Sequence, residues 1–177
     1  SDFLYFIIFY VTGYRKKIVL QNLRNSFPHK TEKEINRLCK DFFHYLCDLM
    51  LETLKPLTMS KKSIVDRCKF DPASLALFQK LADENRSLIL VMGHFGNWEW
   101  SGHPFSILLK HRLYVLYHPL TNKHFDKLMY HIRSRNGTRM IDMKYAYKEM
   151  LLHRDELTAT AFIADQTPQP NNAYWTT

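Results

Sequence analysis

The sequence predicts an α/β fold: a mainly parallel sheet flanked by helices, behind an all-helical amino-terminal third. Three observations carry this. Short apolar runs at residues 88–92, 113–117 and 158–164 have the length and branching of buried strands. Segments with helical spacing separate them, the βαβ alternation that builds parallel sheets. Before residue 85 almost every apolar residue falls at helical spacing instead.

Phe3 to Val11 is an unbroken apolar run of nine residues, five of them aromatic. It is too short to span a bilayer, which takes about 20 residues. Tyr14-Arg15-Lys16-Lys17 follows, an aromatic end leading into positive charge, as at the cytoplasmic exit of a membrane helix. The run reads as the end of an amino-terminal membrane anchor (residues 1–13), as an interfacial segment, or as a buried core helix. Lys16 to Phe27 is helical and Pro28 ends it. Thr31-Glu32-Lys33-Glu34 has the form of a capping box. It opens a helix to Lys55, with an apolar stripe through Ile35, Leu38, Cys39, Phe42, Leu46, Leu49 and Met50. Residues 60–67 form a short helix, Cys68–Phe70 an edge strand, and Asp71-Pro72 a capped helix start. Beyond the run 88–92, a helix over 98–110 precedes strand 113–117. A second helix over 122–135 precedes a weak strand at 139–142, and a third over 145–154 precedes strand 158–164.

A chain of 177 residues, 46% of them hydrophobic, fits one domain with a real core. A net charge of +8 predicts an anionic partner: nucleic acid, anionic lipid or an acidic carrier protein. No nucleic-acid module accompanies the charge, so nucleic acid is not expected. The three cysteines lack metal spacing and suit a reducing compartment, Cys39 and Cys47 as packed thiols. His94, His103 and His111 share no ligand spacing, so no metal site is expected.

Function concentrates in Gly93-His94-Phe95-Gly96-Asn97-Trp98-Glu99. A strand expected to be central and buried on both faces delivers His94 to its carboxyl end, where open α/β sheets place their ligands. Glu99 falls in the first turn of the next helix, within expected reach of the imidazole. His94 is then a general base and Glu99 the carboxylate that orients it. The spacing alone is weak, since His29 and Glu34 repeat it. That copy belongs to a capping box, which leaves His29 as a solvated turn residue.

Several blocks add a resemblance: Asn22-Leu-Arg-Asn-Ser-Phe-Pro28, Gly93 to Glu99, Tyr117-His-Pro-Leu120-x-Asn122, Arg133-Ser-Arg135-x-Gly137 and Ala164-Asp-Gln166-x-Pro168. Together they resemble the lysophospholipid acyltransferase superfamily, in its bacterial lipid A (lauroyl and myristoyl) branch. The resemblance runs from about Tyr14 to the last residue. It implies acyl transfer from an acyl carrier protein or coenzyme A thioester to a hydroxyl of a lipid acceptor, without a bound cofactor. It further implies an acyltransferase domain over 14–177, in a fragment truncated at both ends. The location it implies is the cytoplasmic face of the bacterial inner membrane.

Within that chemistry, backbone N–H groups at Gly96 and Asn97, or the Asn97 amide, are candidate oxyanion donors. Arg133 and Arg135, two apart on a helix, point to different sides, so one is expected to bind an anionic head group. Arg133 is the better candidate, and pairing with Glu99 is its alternative role. His118 stands where the family pattern has arginine or lysine before proline, which weakens a phosphate contact there. Asp165 either orders the acceptor or caps a turn, and Lys144 is the weakest candidate. Two other classes remain open: a thioester or ester hydrolase in which His94 activates water, and a non-catalytic membrane-associated lipid-binding protein. The absence of Gly-x-Ser-x-Gly argues against a serine hydrolase.

Overall fold

A capping box at Thr31 starts the helix on which the amino-terminal unit is built, in a computed structural model that describes residues 1–166. The Thr31 hydroxyl accepts from the Glu34 N–H at 3.4 Å, and the Glu34 carboxylate accepts from the Thr31 N–H at 2.9 Å. Two N–H groups that the helix itself cannot satisfy are thereby bonded. The helix, α3 (Glu32–Leu54), follows α1 (Asp2–Phe6), a π-helical stretch (Ile7–Thr12) and α2 (Lys16–Ser26). It buries Ile35, Cys39, Phe43 and Cys47, each four residues apart. The buried stripe therefore passes through Phe43, whereas the periodicity had favoured Phe42, which is partly exposed. Tyr5 and Phe9 complete this core with Cys39, Phe43 and Cys47.

One side of the amino-terminal apolar run is thus packed, while Phe3, Phe6, Tyr10 and Val11 face outward. Among the described residues no helix is long and apolar enough to cross a membrane. The chain forms two compact units, Ser1–Lys55 and Pro56–Thr177, so the boundary falls at Pro56 and the run shares a unit with α2 and α3.

The second unit opens with α4 (Lys61–Arg67), capped by Ser60, and α5 (Pro72–Asp83). Asp71 caps α5 by accepting from the Ser74 N–H at 3.1 Å, with proline at the first helical position as expected. Cys68–Phe70 is not a strand. Its anchor is Phe70, whose ring packs edge-on against Phe78 and Phe105, so the segment is held by side-chain burial rather than by a ladder.

Next come β1 (Leu88–Met92), α6 (Trp98–Leu108), β2 (Arg112–Tyr117), α7 (Lys123–Ser134), β3 (Arg139–Asp142), α8 (Ala146–Leu152) and β4 (Thr158–Ile163). The strands form one parallel sheet in the order β1-β4-β2-β3, so β4 returns to insert between β1 and β2. Phe105, Leu113, Ala159 and Ala161 form its core. The small side chains of β4 suit a strand with neighbours on both sides.

One expectation is corrected here. Among the described residues β1 is an edge strand, not a central one, and its burial alternates: Ile89 and Val91 are exposed. The central, most buried position belongs to β4, because the chain doubles back after β3. All four strands still point the same way, so the segments after Met92, Tyr117, Asp142 and Ile163 gather at one edge.

Candidate active site

The register of two neighbouring strands builds the centre of the site. β1 and β4 pair in parallel up to Met92 opposite Ile163, and the Ala164 N–H still donates to the Met92 carbonyl at 2.9 Å. Two residues further on each chain, His94 faces Asp165. The carboxylate holds the histidine at two points. Oδ2 accepts the His94 backbone N–H at 2.8 Å, and Oδ1 lies 2.7 Å from Nδ1. These two contacts, ring first, pull the Asp165 carboxyl below the usual carboxylate range.

Gly93 makes the approach possible. A Cβ there would stand 3.2 Å from Asp165 Oδ2 and 3.3 Å from its Cγ, closer than side chains tolerate without shifting. Gly96, at φ 59°, takes the left-handed turn that leads into α6. Trp98 also adjoins the imidazole, edge-on with ring centroids 4.9 Å apart.

The carboxylate expected at the imidazole, Glu99, points elsewhere. The guanidinium of Arg133 takes both of its oxygens, Nε–H donating to Oε2 at 2.9 Å and an Nη2 hydrogen to Oε1. The reason is helical geometry: Glu99, His103 and Ser106 share the side of α6 that meets α7 and the loop after it. Each has a partner there. His103 Nδ1 lies 3.1 Å from the Asn136 amide nitrogen, and Ser106 Oγ lies 2.8 Å from Thr138 Oγ1. A polar seam of three pairs thus runs inward from the site, its first side chains only 11% (Glu99) and 21% (Arg133) exposed. His103 is buried, and burial is the main cause that lowers the pKa of its ring.

The other candidates sort as follows. Arg135 points away from Arg133 and donates to the carbonyls of Pro56 and Met59, tying down the chain before α4. That placement gives it a structural contact rather than a head-group position, while Arg133 has the carboxylate contact held open as its alternative. His118 turns back, with Nδ1 2.9 Å from the Pro119 carbonyl. Asn122 caps α7 by accepting from the His124 and Phe125 N–H groups. Gly96 and Asn97 lie between His94 and α6, and Asn97 is the N-cap residue. Lys144 lies over the Tyr145 ring at 5.5 Å, just past β3. Pro168 of the last block lies outside the described residues.

Sequence reasoning missed the assignment of Asp165 to His94, because pattern reading yields strands but not which strands adjoin. Trp98 and the seam below Glu99 went unread as well; the spacing 99, 103, 106 is visible, but its partners are 30 residues away. A hollow of about 310 Å³ lies at the opposite end of the sheet, lined by Ser87, Tyr114 and His153 among others. Its histidine is already engaged by Glu149 and Glu156, and no residue of the His94 site reaches it.

The arrangement suits proton transfer. A carboxylate on Nδ1 fixes the proton on that nitrogen and leaves the Nε2 lone pair to accept another. Among the described residues no group of three His, Cys, Asp or Glu side chains is placed to hold a metal. Comparison with known proteins adds a family. The family model described as bacterial lipid A biosynthesis acyltransferase matches residues 3–175. No curated protein matches the chain.

Proposed function

The chain belongs to the bacterial lipid A biosynthesis acyltransferases, and from that premise we propose an O-acyltransferase in which His94 is the general base and Asp165 its orienting carboxylate. An acyl carrier protein or coenzyme A thioester is the donor, and the acceptor is a hydroxyl of a lipid A precursor. The observation that carries the reading is the two-point grip of Asp165 on His94 at the ends of adjacent parallel strands.

The chemistry follows from the tautomer. With Nδ1–H donating to Asp165, Nε2 takes the proton of the acceptor hydroxyl as its oxygen attacks the thioester carbonyl carbon. A C–O bond forms, and negative charge passes to the former carbonyl oxygen. Backbone N–H groups at Gly96 and Asn97 are the proposed donors to that oxyanion, each worth about 3 kcal/mol in comparable sites. Collapse of the intermediate breaks the C–S bond, and the imidazolium returns its proton to the departing thiolate. Asp165 stabilises the imidazolium between these two steps. No covalent acyl-enzyme is needed.

Arg133 has a double role in this reading. Its fork holds both oxygens of Glu99 beside the site, and its remaining N–H groups are offered to an acceptor phosphate. Asp165 takes the place that the histidine-to-glutamate spacing suggested for Glu99. Location on the cytoplasmic face of the bacterial inner membrane is part of the proposal, supported by the outward aromatic side chains of Phe3, Phe6 and Tyr10 followed by Arg15, Lys16 and Lys17.

The test is to incubate the purified chain with acyl-carrier-protein or coenzyme A donors, with and without a lipid A precursor, and follow products by mass spectrometry. Acylated acceptor supports transfer. Free fatty acid released equally in both arms favours the hydrolase, and no turnover with retained lipid binding favours a binding protein.

A further inference from the structure

The carboxyl edge of the sheet carries large apolar side chains that nothing among the described residues covers. Phe95, immediately after His94, is 92% exposed, and Met143, after β3, is 58% exposed. Leu120, after β2, and Phe125, in the first turn of α7, are exposed too. The parallel topology sets all four beside the same strand ends, around the mouth of the site. Phe95 is the telling one: a phenylalanine in a glycine-flanked turn, pointing away from the core it adjoins, loses the burial that a side chain of its size normally gains.

The aspartates of this rim are each engaged by a neighbour: Asp126 accepts the Leu120 N–H at 2.8 Å, Asp142 accepts the Lys144 N–H at 2.9 Å, and Asp165 holds His94. Lys123 and Lys144 are exposed. The rim therefore shows apolar tips between cations, the combination that binds an anionic bilayer, where apolar side chains enter the acyl boundary and lysines meet the phosphates.

We propose that this edge is a bilayer-docking surface for anionic phospholipid, in which Phe95, Leu120, Phe125 and Met143 enter the membrane and Lys123 and Lys144 stay at the phosphates. His94 is thereby set at head-group depth, where the hydroxyl of a bilayer-resident acceptor reaches it without leaving the membrane. The depth argument rests on the lipid-acceptor reading above; the docking itself does not. An acidic carrier protein would use the two lysines but has no need of a fully projecting phenylalanine, so the bilayer is the better fit.

The test uses the full chain with Cys68→Ser, leaving only the buried Cys39 and Cys47, and an environment-sensitive fluorophore on one new cysteine. Met143→Cys and Phe125→Cys report the rim; Asp155→Cys, on the exposed loop before β4, reports the other end of the sheet. Vesicles are phosphatidylcholine with or without phosphatidylglycerol, some carrying bromine on the acyl chains, and no substrate is present. The expected result is a blue shift and bromolipid quenching at 143 and 125, strongest with phosphatidylglycerol, and neither at 155. Phe95→Ser combined with Met143→Ser should weaken vesicle binding about tenfold, with the melting temperature checked to confirm folding. Lys123→Ala combined with Lys144→Ala should lessen the phosphatidylglycerol enhancement of the signals at 143 and 125. Equal responses at all three labels, or none at 143 and 125, would overturn the proposal. So would labels that respond to an acyl carrier protein but not to vesicles. Because no turnover is measured, a chain that docks without transferring an acyl group would refute the proposed reaction and leave the docking intact.

Discussion

His94 and Asp165 are partners by register: each lies two residues past Met92 and Ile163, the last pair of the β1–β4 ladder. Their contact is therefore fixed by the backbone of two strands rather than by the flexibility of a loop. The 2.7 Å ring contact and the 2.8 Å backbone contact come from one carboxylate, so the imidazole and its own peptide are oriented together.

If the carboxylate acts through the histidine, Asp165→Asn should lower turnover by about 10²–10⁴-fold with little change in KM. The double variant with His94→Ala should be scarcely worse than His94→Ala alone, because a missing base cannot be misoriented. Steady-state kinetics on the three variants decide it. Losses that multiply would mean independent roles. Glu99→Gln, run beside them, tells whether Glu99 also serves the imidazole: a loss as deep as that of Asp165→Asn would restore it as a partner.

The Glu99–Arg133 pair should behave as a partly buried ion pair. Removing one partner strands the other charge, so Glu99→Gln or Arg133→Met should each destabilise the fold by about 2–4 kcal/mol. The double variant should cost clearly less than the sum. Urea unfolding of the four-member cycle measures the coupling, and strict additivity would argue against a shared rung.

Gly93→Ala tests close approach directly. The new methyl would meet Asp165 at 3.2 Å, so the carboxylate must give by a few tenths of an ångström against its two contacts with His94. Turnover should fall by an order of magnitude or more, while the melting temperature changes little. Gly96→Ala is expected to behave differently, destabilising by about 1–2 kcal/mol because an L-residue is forced to φ 59°.

The seam predicts a pH dependence. Burial lowers the His103 pKa in the folded chain, so at mildly acid pH the unfolded chain binds the extra proton and the folded chain resists it. Stability should therefore fall as pH drops below the ordinary imidazole value near 6.5, and level off below the lower folded value. His103→Gln should flatten that part of the curve. Urea midpoints from neutral to mildly acid pH, wild type against variant, show whether it does.

The repeated spacing at His29 and Glu34 supplies a control. Glu34 is held below the usual carboxylate range first by the Thr31 N–H, which marks it as a capping residue. Glu34→Gln and His29→Ala should leave turnover unchanged, and the former should reduce stability by about 1 kcal/mol or less, seen in a thermal melt.

Local chemistry made much of this protein legible in one dimension. The Thr31 capping box, the Asp71-Pro72 helix start, the strand runs and the glycine turn after Met92 are decided within a few residues, by hydrogen-bonding groups and backbone conformations close at hand. Those signals placed His94 at a strand end. Partners were another matter. That β4 folds back between β1 and β2 depends on packing across 70 residues, and that single topological step set Asp165 against His94 and left β1 at the edge of the described sheet. Glu99 shows the same limit at shorter range. Its place in the first helical turn was readable and Arg133 was one of the partners open to it, but the choice between Arg133 and the imidazole was decided only when α7 packed opposite α6. A sequence states which groups are available and which turns they occupy; the pairing of charges belongs to the fold, because a carboxylate goes to whichever cation or imidazole the packing brings within 3 Å.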